Sequence, residues 1–183
     1  MRLHVIAYLI ASFHFTAAAL AAAPGSPYAG QEARDIKSLS PDDVDAYLSG
    51  KGMGLAKAAE LNGYAGPAHV LELASQLALT PEQRAKTEAL FATMASKATL
   101  LGQALVAEER KLDRLFATKA MTPELLSSSL AEIGSLQAKV RGAHLEAHLA
   151  QVEILTPEQN DRYAQLRGYS AGTHSGHDGQ HKQ

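Results

Sequence analysis

The chain has no cysteine and no tryptophan, and aromatic residues make up only 5% of its 183 positions. Without cysteine there is no disulfide and no residue to acylate, so a lipoprotein is excluded and packing and partners must hold the fold. So few aromatics argue against a carbohydrate-type or aromatic ligand pocket. The formal net charge of −2 is too small to argue for nucleic acid. No stretch shows sustained period-two alternation, and no Asn-Gly or Asp-Gly turn joins two apolar runs, so strands are not expected. Catalytic signatures are missing as well: there is no nucleophile elbow, no His-Glu-x-x-His, no Walker A and no dinucleotide fingerprint. Ser127-Ser128-Ser129 has no base near it in sequence. Gly50-Lys51-Gly52-Met53-Gly54 looks like a phosphate loop, but no strand precedes it and no Gly-Lys-Ser/Thr follows. It reads as a kink between short helices, and the chain reads as a non-enzyme.

What is present is helical. The pentapeptide Leu-Thr-Pro-Glu-Gln occurs as Leu79 to Gln83 and again as Leu155 to Gln159. Each copy spells a helix start. Thr80 and Thr156 are N-caps whose hydroxyls take an orphan backbone N–H. Pro81 and Pro157 occupy the first helical position, where a missing N–H costs nothing. Gln83 and Gln159 can reach back to close a capping box, and Glu82 and Glu158 place negative charge at the positive end of the helix dipole. Ser40-Pro41-Asp42-Asp43 and Thr122-Pro123-Glu124 are weaker versions of the same signal.

These starts divide the chain. Residues 1–21 read as a secretory signal peptide, with Arg2 and His4 before an apolar run from Val5 to Leu20 and a small-residue cleavage site ending at Ala21 or Ala23. The run is shorter than the ~20 residues of a membrane span, so no stable anchor is expected after cleavage. Residues 24–39 read as a flexible arm and residues 40–169 as a helical domain. Residues 170–183, rich in His, Gly, Ser and Gln, read as a disordered tail. Within the domain, short helices are expected from Ser40 to Gly50, around Leu55 to Leu61 and from His69 to Leu77. Two long helices follow, Thr80 to about Thr118 and Pro123 to about Glu153, roughly 57 and 47 Å in length at the α-helical rise. Phe91, Met94, Ala98, Leu101, Leu105, Leu112 and Leu115 form a heptad-like seam on the first, interrupted by Glu108. Leu126, Leu130, Ile133 and Val140 line the second. A short turn forces the two antiparallel. The fold class is therefore all-α, a long antiparallel helical hairpin with short flanking helices, and both pentapeptides should lie at its open end.

His144 and His148 are spaced i, i+4 on the second long helix, the spacing that lets two imidazoles reach one metal ion. Counting back from the turn places Met94 and Lys97 opposite them, and His69 and Glu72 are further possible ligands. The alternative is two polar residues on a helix flank, facing a groove or hydrogen-bonded to a carboxylate. His174, His177 and His181 in the tail form a second, looser candidate, or simply a solubilising segment. No cofactor is required by any of these residues; Zn, Cu or Ni would suit the histidines.

With two Leu-Thr-x-x-Gln motifs flanking a long hairpin in a cysteine-free, exported helical chain, the sequence resembles the Spy/CpxP family of periplasmic stress proteins. The motif residues are Leu79, Thr80, Gln83, Leu155, Thr156 and Gln159, and the resemblance runs from about Val70 to Tyr169. It implies a periplasmic, cradle-shaped homodimer that acts as an ATP-independent chaperone or envelope-stress modulator. Its partners would be unfolded or stressed envelope proteins, or a sensor kinase, and not nucleic acid. Relatives of the CnrX and ZraP type imply the alternative, a periplasmic heavy-metal sensor or metal buffer built on paired helical histidines.

Overall fold

Among the described residues, proline opens five of six helices, and a hydroxyl residue stands before four of those prolines. The computed structural model describes residues 26–169. In it α1 covers Pro41–Leu48, α2 Lys57–Glu60, α3 Pro67–Glu72, α4 Pro81–Ala117, α5 Pro123–Ile154 and α6 Pro157–Leu166. The described residues contain no strand, and the fold is all-α. The helical unit begins at residue 33; residues 26–32 form short exposed turns of their own. The expected signal peptide and the His-rich tail lie outside the described residues.

Ser40, Thr80 and Thr156 each accept a hydrogen bond from the backbone N–H three residues on, and their own backbone N–H groups donate to the side-chain oxygens of Asp43, Gln83 and Gln159. Thr122 caps α5 in the same way through Leu125 N–H. Leu125 has no polar group to reciprocate, so this cap is half a box.

The hairpin follows from two long helices and a tight turn. α4 has 37 residues and α5 has 32, which corresponds to about 55 and 48 Å. Lys119 turns the chain between them with φ +56°. Their antiparallel packing returns the chain to the first pentapeptide, where the two glutamines meet. Gln83 Nε2 donates to Gln159 Oε1 at 2.7 Å, and Gln159 Nε2 donates to Gln83 Oε1 at 3.1 Å. The same amides also donate to the carbonyls of Ile154 and Leu77. Each glutamine thus closes its own helix cap and clips that helix to the other one.

Two apolar cores result. Leu105, Ile133, Leu136 and Val140 fill the middle of the hairpin, with Tyr47, Leu55, Leu101 and Leu112 packed on them. Ala65, Val70, Leu77, Leu155 and Tyr163 fill the open end under the short helices, with Leu79 beside them. α1 crosses α4 at Gly102, where a Cβ would overlap the Tyr47 carbonyl, so only glycine allows the approach.

Several expectations need correcting. The arm is not free along its whole length: from residue 33 onward it is pinned to α4. Ile36 is 2% exposed, Lys37 pairs with Asp113 at 2.9 Å, and Asp35 pairs with Arg110 at 2.7 Å. The acid buried on α4 is Glu109, which accepts from Ser38 Oγ at 2.8 Å; Glu108 is partly exposed and pairs with Lys111. Phe91 and Leu130, placed in the seam by their spacing, are 37% and 52% exposed because no neighbouring helix covers them. The second and third short helices are shorter than their apolar patterns suggested, since they break into turns after 4 and 6 residues.

Candidate functional site

Between α2 and Pro67 the chain doubles back over α5, and one carboxylate organises that corner. Glu60, the last residue of α2, is 8% exposed. Its Oε1 accepts from the Tyr163 hydroxyl of α6 at 2.6 Å. The same oxygen lies 3.3 Å from Arg167 Nε, whose positive charge stands beside the buried carboxylate, and 3.4 Å from His69 Nδ1. Burial and then the adjacent Glu60 push the Tyr163 hydroxyl far above its usual pKa, so it stays a donor. Glu60 Oε2 points the other way. It has no hydrogen-bond partner, and it stands 3.7 Å from His148 Nδ1.

His148 is held by the backbone. Its Nδ1 lies 2.8 Å from the Tyr64 carbonyl oxygen. A carbonyl only accepts, so Nδ1 carries the proton and Nε2 keeps its lone pair. This is the arrangement that orients a metal-binding histidine, with one ring nitrogen anchored and the other free. Gly66 makes room for it. A Cβ on Gly66 would stand 2.9 Å from His148 Nε2 and 3.3 Å from Glu60 Oε2. The free imidazole nitrogen and the free carboxylate oxygen therefore face one point that glycine leaves open.

His144 lies one turn before His148 and is 4% exposed. Its Nε2 is buried without a hydrogen-bond partner. Burial first, and the proximity of His148 second, hold its pKa below the ordinary 6.5, which favours the neutral ring whose free nitrogen can act as a ligand. Both histidines, Glu60 and His69 border one open cleft of about 640 Å³, lined elsewhere by the 49–54 loop, by Phe91 and Met94 of α4, and by Arg167. Among the described residues no three His, Asp or Glu side chains converge tightly enough to enclose a metal as they stand. The donors line a common cavity without meeting in it.

The sequence-derived candidates separate here. His144 and His148 share the cleft with Met94, as the register count implied. Lys97 turns away and pairs with Glu146 at 2.6 Å. His69 lies beside Glu60, whereas Glu72 is exposed and outside the cleft. His174, His177 and His181 lie outside the described residues. Ser128 donates its hydroxyl to the Leu125 carbonyl of its own helix. Glu60, Gly66, Tyr163 as a hydroxyl donor and Arg167 were not expected at a site. The one available signal was that Glu60 is the sole acid between Asp45 and Glu72, in a stretch otherwise rich in Ala and Gly.

The model of a protein family described as heavy-metal resistance matches residues 51–162, more than half of the 183-residue chain. The matched stretch contains Glu60, Gly66, His69, His144 and His148. No curated protein and no solved structure matches the chain.

Proposed function

The chain belongs to the heavy-metal-resistance family, and we propose that it binds a transition-metal ion in the cleft over α5, as a periplasmic metal sensor or buffer. His144, His148 and Glu60 would be its ligands. One observation carries this reading: two buried donor atoms, His144 Nε2 and Glu60 Oε2, have no hydrogen-bond partner and border the same cleft. Buried polar atoms without partners are uncommon and destabilising, and a cation would satisfy both. The Tyr64 carbonyl orients His148, while Tyr163 and Arg167 orient Glu60 and leave its second oxygen free. Zn, Cu and Ni match imidazole and carboxylate donors.

The donors come from elements that the metal would tie together. Glu60 belongs to α2 and the histidines to α5, while Glu60 is already bonded to α6. Drawing Glu60 toward the histidines would loosen its bond to Tyr163 and so report metal occupancy to the open end of the hairpin. Isothermal titration with Zn, Cu and Ni tests the reading. His144→Ala with His148→Ala should abolish the tightest site, and unchanged binding in that variant would refute it.

Export is supported by the basic start, the apolar run Val5 to Leu20 and the small-residue site at Ala21. Placement in the Spy/CpxP branch rests on the paired Leu-Thr-x-x-Gln motifs. A second reading, a chaperone surface or homodimer face on the outside of the hairpin, is favoured by Leu100 at 65%, Leu130 at 52% and Leu149 at 56% exposure. Aggregation suppression on an unfolded client, and sedimentation of the chain with Leu100 and Leu149 changed to Ser, test that surface. The histidine variant should leave it intact.

A further inference from the structure

Two methionines line the cleft that holds the histidines. Met94 comes from α4, and Met53 comes from the loop between α1 and α2. Met53 has φ +46°, in the left-handed region that side-chain-bearing residues adopt only under constraint. It is 41% exposed, and it belongs to neither apolar core. The loop runs close to the imidazoles: a Cβ on Gly52, the residue before Met53, would stand 3.9 Å from His144 Nδ1. Gly50 and Gly54, on either side of Met53, also have positive φ. A strained backbone thus holds a long, soft side chain at the border of the cleft, outside both apolar cores.

The charge around the cleft limits what can enter. Lys51, Lys57 and Arg167 border it, against the single carboxylate of Glu60. Coulomb repulsion scales with the charge of the incoming ion, so these three cations oppose a divalent metal twice as strongly as a monovalent one. Thioether and neutral imidazole donors add no negative charge to compensate; imidazole accepts copper as readily as zinc or nickel, and the thioethers are soft ligands that favour Cu(I)-type ions. Resting on the reading of this cleft as a metal site, the geometry points to a soft monovalent cation, Cu(I) or its stand-in Ag(I), as the metal class, with Met53 and Met94 as thioether ligands beside His144 and His148. The 49–54 loop carries Met53 to the ion and covers it.

The test uses the full chain with His174, His177 and His181 changed to Ala, so that the tail does not compete. Ag(I), which needs no reductant, and Zn(II) are titrated in competition with chelators of known affinity. Ag(I) should bind tighter than Zn(II). Met53→Leu and Met94→Leu, which keep bulk and remove sulfur, should each weaken Ag(I) by about tenfold or more, the scale seen when groups of a metal site are altered, and leave Zn(II) unchanged. Methyl-labelled methionine NMR gives an independent readout: Ag(I) should shift Met53 and Met94 but not Met121 in the hairpin turn. Unchanged Ag(I) affinity in the double methionine variant, or equal weakening of both metals, overturns the assignment. If the methionine changes have no effect but His144→Ala with His148→Ala abolishes binding, only the soft-cation class fails. If the histidine variant binds both metals like the parent, the cleft itself is wrong.

Discussion

Leu105, Ile133, Leu136 and Val140 meet in the middle of the hairpin as a purely aliphatic cluster. At its open end Glu60, His144 and His148 are buried to a similar degree, yet each is ionisable and two of them carry a donor atom with no partner. The same two helices support both regions. In the middle, α1 closes directly on α4 through Gly102, so side chains interdigitate and apolar burial dominates. Toward the open end, a 640 Å³ cleft opens where α2 and the start of α3 border the hairpin, and polar side chains fill the corner beside it. Stability and site chemistry are therefore separated along the hairpin axis, and substitutions should separate them as well.

Leu105→Ala should have the largest effect on folding. Leu105 is 1% exposed, and truncating such a leucine costs about 2–5 kcal/mol. Denaturant unfolding should show this loss with metal affinity unchanged; an equal loss of metal affinity would mean the two regions are not separable. The converse is the pair His144→Ala and His148→Ala, which should abolish the tightest metal site, a loss of at least about a hundredfold or ~2.7 kcal/mol, with a smaller loss of stability. Titration and melting of one preparation compare the two directly.

Gly66→Ala sits between these extremes. Its backbone, at φ −91° and ψ 140°, suits alanine, so any effect comes from the new Cβ against the His148 ring. Forcing that ring aside should cost about 1–3 kcal/mol and weaken metal binding as well. A stable variant with unaltered affinity would show that the cradle formed by Gly66, His148 and Glu60 is incidental. Thr156→Ala should cost about 1 kcal/mol. It breaks the box with Gln159, and hydrogen exchange should quicken over residues 157–166 rather than globally.

The smallest effect is on pH dependence. His144 holds its pKa below 6.5 mainly through burial, so on acidification the unfolded chain takes up that proton first. Stability is complete above about pH 6.5 and falls as pH drops below it, until the folded ring is protonated too. His144→Gln should flatten that slope in denaturation midpoints measured from pH 7.5 to 5. A slope equal to the parent's would place the titration elsewhere.

How much of this was legible beforehand depends on the range of the interactions. The helix starts at Ser40, Thr80, Thr122 and Thr156 were readable because a cap needs only three consecutive residues after it. The antiparallel hairpin was readable because two long proline-free segments joined by a short turn have few other options. The i, i+4 histidines were readable because helix geometry places them on one face. Glu60 was not, because its partners Tyr163, His148 and His69 come from three other elements, and nothing in Lys57-Ala58-Ala59-Glu60 marks it as buried. Seam residues Phe91 and Leu130 misled for the same reason: period reports which side of a helix faces inward, not whether a neighbour covers it.

The sequence by itself determined the all-helical class, the caps, the long hairpin and the pairing of His144 with His148, since each is decided within one helix or by the length of a connection. Only the tertiary structure decided that the two pentapeptides clip together through reciprocal glutamine amides, that residues 33–39 are pinned to α4, and that Glu60 and Gly66 join the histidines at one cleft. Those features depend on how α2, α3 and α6 pack onto the hairpin, and that packing is set by contacts among residues distant in sequence, which no local pattern encodes.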